Sequence, residues 1–477
     1  MKLKSIQIKN YRSIDDVTIP LVHCADGGQT YGLIGINEAG KSSLLKAISL
    51  KDGLHAVTLK DFRSKTTRME IRFQYEFEEG DVDDEAIEQL ESERSADSTS
   101  PGEKGGPSVE GATLITYFDS ASPTVKKYEV VIHAGTTEVT LSTGANFDLV
   151  LNQSHKVIFW TAESRYLISE PVTLTTFAAS PDTISIPLKN CFALSGIVGP
   201  DIASKVAQLP SDSTEREDLE KTLGENVTAH IKDVWPNHPV EITFNYDTGV
   251  INFHVKDEGV KGKAKTADQR SDGFKQFISF LLTVSAQSKH GQLANSILLL
   301  DEPETHLHPQ AQQFLLKELI KIASDSGTNN LVFFATHSNY MIDKEDLSRN
   351  FKVTKADNDK TNVERFDTKT SSYASVNYEV FEIPTSDYHN ELYGELQERE
   401  DKFTEKDFEI FLASKGVKIK EDYVKIKKDG TEDKYKVTLP TKIRNQIHHP
   451  ENTKNKRYGE EELRESIELL KRLKNEG

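Results

Sequence analysis

A chain of 477 residues, 36% of them hydrophobic, is long enough for two or three domains with cores of their own. Its two cysteines, Cys24 and Cys191, are too few for a disulfide framework and fit a reducing compartment. No apolar run reaches membrane-spanning length and the first residues read as a charged strand, so a cytoplasmic protein with no membrane partner is expected.

The opening segment, Met1 to Ile14, begins as a strand that carries charges. A short apolar strand, Tyr31 to Ile34, then runs into Gly35-Ile36-Asn37-Glu38-Ala39-Gly40-Lys41-Ser42, with an amphipathic helix from Ser43 to Leu50 behind it. This fits G-x-x-x-x-G-K-[ST], the phosphate-loop (Walker A) pattern of ATP-binding proteins. Its glycines let backbone amides curl around phosphates at a helix N-terminus, with Gly35, Asn37, Gly40 and Ser43 lining the cradle. Lys41 supplies a point charge, and the Ser42 hydroxyl is a ligand for Mg²⁺. A Gly-containing turn is the competing reading.

Strand patterns follow at about 69–77, 112–118 and 126–141, with an acidic stretch between the first two. Glu76 to Glu103 holds twelve acidic residues and one basic, and continues into a Ser/Gly/Pro-rich run. A mobile acidic loop is expected over about 78–110, and an inserted lobe over about 112–235. A mixed region with Trp160, Tyr166 and Leu188 leads to a charged helix near 214–232. Val240 to Tyr246 and Val250 to Val255 flank Asp247-Thr248-Gly249, a hairpin signal.

Arg270-Ser271-Asp272-Gly273-Phe274-Lys275 precedes an apolar helix. Ser271 and Gly273 suit either a simple N-cap or an anion site at a helix N-terminus. Ser296 to Pro303 then reads as a buried parallel strand ending in two acids. Asp301 suits a Mg²⁺ site and Glu302 a general base for water. A second such strand, Leu331 to Ala335, places His337 beside the same edge.

In this order the four elements resemble the phosphate loop, signature motif, D-E-P strand and switch histidine of ABC-type ATPases. In that family the signature of one protomer faces the γ-phosphate held by the other. The opening segment and Glu304-Thr305-His306-Leu307-His308-Pro309 further resemble OLD- and SMC-like ATPases. The resemblance spans residues 1 to about 350 and implies an α/β ABC-type head, a mixed sheet with flanking helices, working as a homodimer or higher homo-oligomer. Asp272 departs from the signature consensus. The glutamine loop is unplaced; Gln74, inside the strand pattern 69–77, is a weak candidate for it. His306 and His308 are poorly spaced for a metal pair, and a loop facing the partner protomer fits them better.

The expected second domain, 351–477, is small and mainly helical. It holds a strand-like run at Phe351 to Val353, helical composition from Asp387 to Asp407, a β-rich insertion at 415–436 and an amphipathic helix from Glu460 to Lys474. From Phe411 to Arg457 thirteen basic residues face six acidic ones, which suits a polyanion or simply a solvated face. The metal-carboxylate set of OLD nucleases, a glutamate loop followed by a D-x-D strand, is not found. Ile443 to Pro450 does resemble the R-[NDH]-x-x-x-H motif of HEPN-type ribonucleases, through Arg444, Asn445 and His449, with His448 competing for the histidine role. A catalytic Arg444/His449 pair cutting RNA without metal, an inactive dimerisation or docking module, and a plain structural helix all remain open. Such architectures resemble antiviral-defence ATPases of the Septu, PARIS and RloC-like kinds. The leading expectation is therefore an antiphage ATPase that controls a C-terminal ribonuclease. An ATPase that restrains a separate nuclease effector and a RecF-like DNA repair ATPase are the alternatives.

Overall fold

In a computed structural model the chain divides into two compact units, Met1–Phe366 and Asp367–Gly477. The structure describes residues 1–78, 109–134, 137–168, 171–210, 212–234, 240–257, 265–266, 269, 271–289, 293–325, 327–356, 358–366, 372–427 and 430–476. Most of the expected acidic loop, and Arg270 of the signature, lie outside them.

The first unit begins with the hairpin β1 (Lys2–Tyr11) and β2 (Ile14–Pro20), then β3 (Thr30–Ile34) and the helix Lys41–Ser49. Next come β4 (Met69–Glu76), β5 (Val109–Asp119), β6 (Ser122–Ala134), β7 (Thr137–Leu141) and β8 (Lys156–Thr161). After β9 (Val172–Thr173) a run of helices ends in Ser213–Val234, followed by β10 (Val240–Asp247), β11 (Val250–Asp257) and β12 (Lys265–Thr266). The helix Asp272–Lys289 leads to β13 (Ser296–Asp301), the helix Pro309–Ser324, β14 (Leu331–Thr336), β15 (Asn350–Lys355) and β16 (Thr361–Arg365).

Two six-stranded sheets carry this unit. One is antiparallel, in the order β2-β1-β4-β5-β6-β7; the other is mostly parallel, in the order β16-β15-β3-β14-β13-β8. The antiparallel strands alternate, with Val17 and Ile19 of β2 inward and Asp16 and Thr18 outward, because only one face meets the core. Every residue of β13 and β14 is buried, which is what a parallel strand covered on both faces requires. The helix Lys41–Ser49 packs against β1 of the first sheet and β13, β14 and β8 of the second, burying Leu44, Leu45, Ala47 and Ile48. Both sheets share one apolar core. A second core lies where β10 and β11 and the helices between 174 and 234 meet the helix Asp272–Lys289.

Segment 112–235 is thus not one inserted lobe. β5 to β7 extend the sheet begun by β1 and β4, β8 joins the central sheet, and only the helices after β9 belong to the second core. The boundary between units likewise falls at 366/367 rather than 350/351. Phe351 to Val353 is the middle of β15, which pairs in parallel with β3, and β16 pairs antiparallel with β15 to finish the central sheet.

The second unit is mainly helical, with helices Tyr373–Phe381, Ser386–Arg399, Glu405–Ser414, Leu439–His448 and Glu460–Asn475. Asp401, in a left-handed conformation, breaks the expected 387–407 helix in two. The β-rich insertion is an antiparallel hairpin of β17 (Glu421–Ile426) and β18 (Glu432–Val437). Leu463, Ile467, Leu470 and Leu473 all face this unit's core, as their spacing predicts.

Candidate active site

The parallel strands deliver four loops to one edge. Registers Thr336↔Ile34, Asp301↔Ala335 and Asp301↔Thr161 set the ends of β3, β14, β13 and β8 side by side, at the carboxyl edge where open α/β sheets bind ligands. The phosphate loop leaves β3 with Ile36, Asn37 and Glu38 exposed at its crown. Gly40 has φ 108°, and a Cβ there would lie 2.2 Å from Thr361 Oγ1, itself hydrogen-bonded to Ser13 Oγ at 2.7 Å. A Cβ on Gly35 would meet the Val353 carbonyl oxygen at 2.3 Å. The pattern's two glycines are therefore required by the chain packed behind the loop.

Lys41 Nζ donates to the carbonyls of Gly35 (2.8 Å) and Ile36 (2.9 Å), arching its ammonium over the loop. Burial lowers its pKa, opposed by the charges of Glu302, Glu304 and Asp301. Ser42 Oγ donates to Asp301 Oδ1 at 2.8 Å, although the two stand 259 residues apart. Burial raises the Asp301 pKa, and the Ser42 hydrogen bond works against that rise. Two hard oxygen donors thus meet, the Ser42 hydroxyl and an Asp301 carboxylate that gains from a nearby cation, a donor set that fits Mg²⁺.

Glu302 takes a left-handed turn (φ 51°), its amide held by the Ala335 carbonyl at 3.0 Å. Its Oε1 lies 3.5 Å from His337 Nδ1, with both side chains partly open to solvent. Glu304, by contrast, is 1% exposed, and it accepts from Thr336 Oγ1 and from the His337 amide at 3.3 Å.

The signature residues sit elsewhere in the same unit. Ser271 Oγ accepts from the Phe274 amide at 3.4 Å, capping its helix, and Lys275 pairs with Asp272 at 3.0 Å. A Cβ on Gly273 would lie 2.3 Å from the His306 carbonyl oxygen, so this glycine lets the helix rest on the loop after β13. Among the described residues, no hydrogen bond or ion pair joins Ser271, Asp272 or Gly273 to Gly35–Ser42. His308 caps the helix Pro309–Ser324, accepting from the Gln310 amide at 3.4 Å. Gln74 lies in β4, where it accepts from Ser5 Oγ at 2.9 Å.

Residues 1–181 and 200–342 match the family model described as the AAA ATPase domain, about two thirds of the chain. The chain belongs to this ATPase family. A curated relative, the uncharacterized protein MJECL43 of Methanocaldococcus jannaschii, is 24% identical over 140 residues, 28% of this chain. The chain spans about a third (35%) of that relative's length. Among solved structures, the Smc head bound to the C-winged helix domain of ScpA shares 14% identity at a TM-score of 0.43, over 77% of this chain and 98% of that one. The SMC head domain from Thermotoga maritima shares 10% at 0.37, over 77% and 100%.

Two parts of this AAA-family ATPase edge escape the sequence reading. β8 is the last strand of the mostly parallel sheet, and its exit brings Glu163 to within 3.8 Å of Lys46 Nζ; its apolar run Val157 to Trp160, ending in Thr161, has the same form as β13. The other is Glu304, present in the motif but given no role.

In the second unit Arg444 is half-buried and donates to Asn445 Oδ1 at 3.2 Å. The buried Asn445 donates to Glu405 Oε2 at 3.0 Å, and Tyr435 OH donates to Glu405 Oε1 at 2.9 Å. His448 is exposed at the helix end, one turn beyond Arg444 and on its face. Partial burial, Arg444 and His449 all hold the His448 pKa below its ordinary value. His449 stands at the C-cap, sharing a 3.2 Å contact with Glu451.

Proposed function

We propose that this ATPase binds ATP on Gly35–Ser42 and hydrolyses it with Glu302 and His337, and that a second copy supplies Ser271 and Gly273. The observation that carries this reading is the Ser42–Asp301 hydrogen bond, which sets the phosphate loop against the β13 acids. Loop amides and Lys41 bind the β- and γ-phosphates, with Lys41 exchanging its carbonyl partners for phosphate oxygens. Ser42 and Asp301 are the residues to hold Mg²⁺, which screens phosphate charge when bound. Glu302 takes a proton from water as its oxygen bonds to the γ-phosphorus and the bond to the β–γ bridging oxygen breaks; His337 orients Glu302 and that water. The resemblance of Ser271 and Gly273 to the ABC-type signature motif supports completion by a homodimer.

In purified protein, Glu302→Gln is expected to bind ATP and to dimerise with it, while phosphate release falls at least about 100-fold. Lys41→Ala should lose ATP binding itself. Wild-type phosphate release from Glu302→Gln would falsify the assignment.

A second reading concerns the C-terminal unit, and the Arg444–Asn445–Glu405 array favours it. Together with His448 and His449 it supplies what metal-independent RNA cleavage needs: a guanidinium for the phosphate and a histidine to move protons while the 2′-OH attacks and the 5′-oxygen leaves. The resemblance to antiviral-defence ATPases supports ATP-controlled RNA cleavage during phage attack as the biological setting. Incubation with total RNA, with and without ATP, should show cleavage by the wild type. The Arg444→Ala/His449→Ala double variant should leave RNA intact while still hydrolysing ATP; cleavage retained in that variant would sink this reading.

A further inference from the structure

We infer that Glu304 is a positioning residue of the ATP site: it fixes the spacing of Glu302 and His337 and ties that spacing to the loop on which the signature helix rests. The inference builds on the ATP-site assignment proposed above. One Glu304 oxygen, Oε1, accepts from both Thr336 Oγ1 and the His337 amide, so a single atom holds the end of β14 and the backbone of the switch histidine. Thr336 Oγ1 in turn accepts from the Ser338 amide at 2.9 Å. Ser338 Oγ donates to Gln312 Oε1, Gln312 Nε2 donates to the Leu307 carbonyl at 2.8 Å, and the Leu307 amide donates back to the Glu304 carbonyl at 3.0 Å. The bonds close a ring through the exit of β13, the exit of β14 and the first turn of the helix Pro309–Ser324.

Glu302 and His337, 3.5 Å apart, hang from this ring by short tethers. Glu302 lies two residues before Glu304 and its amide is fixed to β14 through Ala335. His306, between Glu304 and Leu307, presents the carbonyl on which Gly273 packs. Movement of the signature helix therefore reaches Glu302 and His337 through the loop that Glu304 anchors.

A carboxyl group is a costly way to make such an anchor. Glu304 is 1% exposed, and its second oxygen, Oε2, has no hydrogen-bond partner among the described residues. Ionised, a buried carboxylate with an unmet oxygen costs more than an amide of the same shape, and burial raises the Glu304 pKa accordingly. Thr336 and the His337 amide need only an acceptor, which a glutamine carbonyl also provides. Glu304→Gln thus separates the anchoring role from any need for the acid itself.

The test compares Glu304→Ala, Glu304→Gln, Gln312→Ala and Glu302→Gln in steady-state ATP hydrolysis, with ATP affinity measured separately. Glu304→Ala should lower kcat about 100-fold, the scale of a 1 Å misplacement of reacting groups, with KM and ATP affinity near wild type. Glu304→Gln should restore most of kcat, and Gln312→Ala, which opens the ring farther away, should give a smaller loss of the same kind. Wild-type kcat in Glu304→Ala overturns the inference. So does a loss of kcat matched by an equal loss of ATP affinity and not restored by Glu304→Gln, the outcome of a merely structural role. Glu302→Gln distinguishes the two levels: if it is inactive while Glu304→Ala is normal, only this inference fails; if it hydrolyses ATP normally, the site assignment fails and the inference with it.

Discussion

The ATP edge and the end of the helix Leu439–His448 both place ionisable side chains just past a regular element, yet they are built in opposite ways. At the ATP edge each reactive group leaves a strand buried on both faces, and Glu304, Thr336, Ser338 and Gln312 lock the loops together. In the C-terminal unit Arg444, Asn445, Glu405 and Tyr435 are linked by hydrogen bonds, while His448 and His449 stand exposed. A site that assembles around a bound nucleotide gains from fixed geometry. Under the RNA-cleavage reading proposed above, a site that meets a large polyanion can keep its proton-carrying groups at the surface.

The sharpest way to break the first half of this comparison is Gly40→Val. Its φ of 108° is unfavourable for a branched side chain, and the new Cβ would run into Thr361 Oγ1 at 2.2 Å. Isothermal titration should show ATP affinity reduced by about 100-fold or more, because the loop must shift away from its phosphate-binding shape. Affinity unchanged by this substitution would mean that Thr361 yields and the loop is not held from behind.

The residues that meet at the carboxyl edge of the parallel strands were legible because they lie in contiguous words, Gly35 to Ser42 and Asp301 with Glu302. The hairpin of β10 and β11 was legible for the same local reason, a Thr248-Gly249 turn between alternating strands. What escaped depends on pairing over long distances. β8 is a strand of the central sheet only because Lys156 to Thr161 lies in register with Ser296 to Asp301. β15 and β16 were read as the start of the next domain because nothing local says that Asn350 to Lys352 pairs with Gly32 to Ile34. Glu304 stood in the quoted motif, but its ring closes through Gln312 and Ser338, and no spacing rule reveals that. In the C-terminal unit Arg444 and the two histidines were visible, whereas Glu405 and Tyr435, which anchor Asn445, come from other elements.

The second half of the comparison is sharpened by two alanine substitutions on neighbouring turns. Asn445→Ala leaves the Glu405 carboxylate without its amide donor beside a buried helix, a cost of about 3 kcal/mol. His449→Ala removes an exposed ring paired, among the described residues, with exposed Glu451, and should change stability by less than about 0.5 kcal/mol. Denaturant midpoints of the two variants test this directly. Equal losses would show that His449 is as much a structural part of the helix end as Asn445, and the contrast with the ATP edge would vanish.

A further contrast concerns a feature that the two units share. Each contains a histidine held neutral by burial: His155 in the first and His389 in the second, both with a pKa lowered to about 4. His389 is fully buried and shares a 2.9 Å hydrogen bond with Ser466 Oγ. Between pH 6.5 and about 4 the unfolded chain binds a proton at His389 that the folded unit refuses, so stability rises with pH across this window and falls as the solution is acidified. At pH 5 the loss attributable to His389 is about 2 kcal/mol relative to pH 8. A His389→Gln variant keeps a polar group facing Ser466 but cannot titrate. Its denaturant stability should therefore fall less than that of the wild type between pH 8 and pH 5, by about that amount, while its stability at pH 8 stays close to wild type or slightly below. Parallel pH profiles for the two proteins would mean that His389 is reached by water or protons in the folded unit, and that the C-terminal core is looser around it than its packing against Tyr393 suggests.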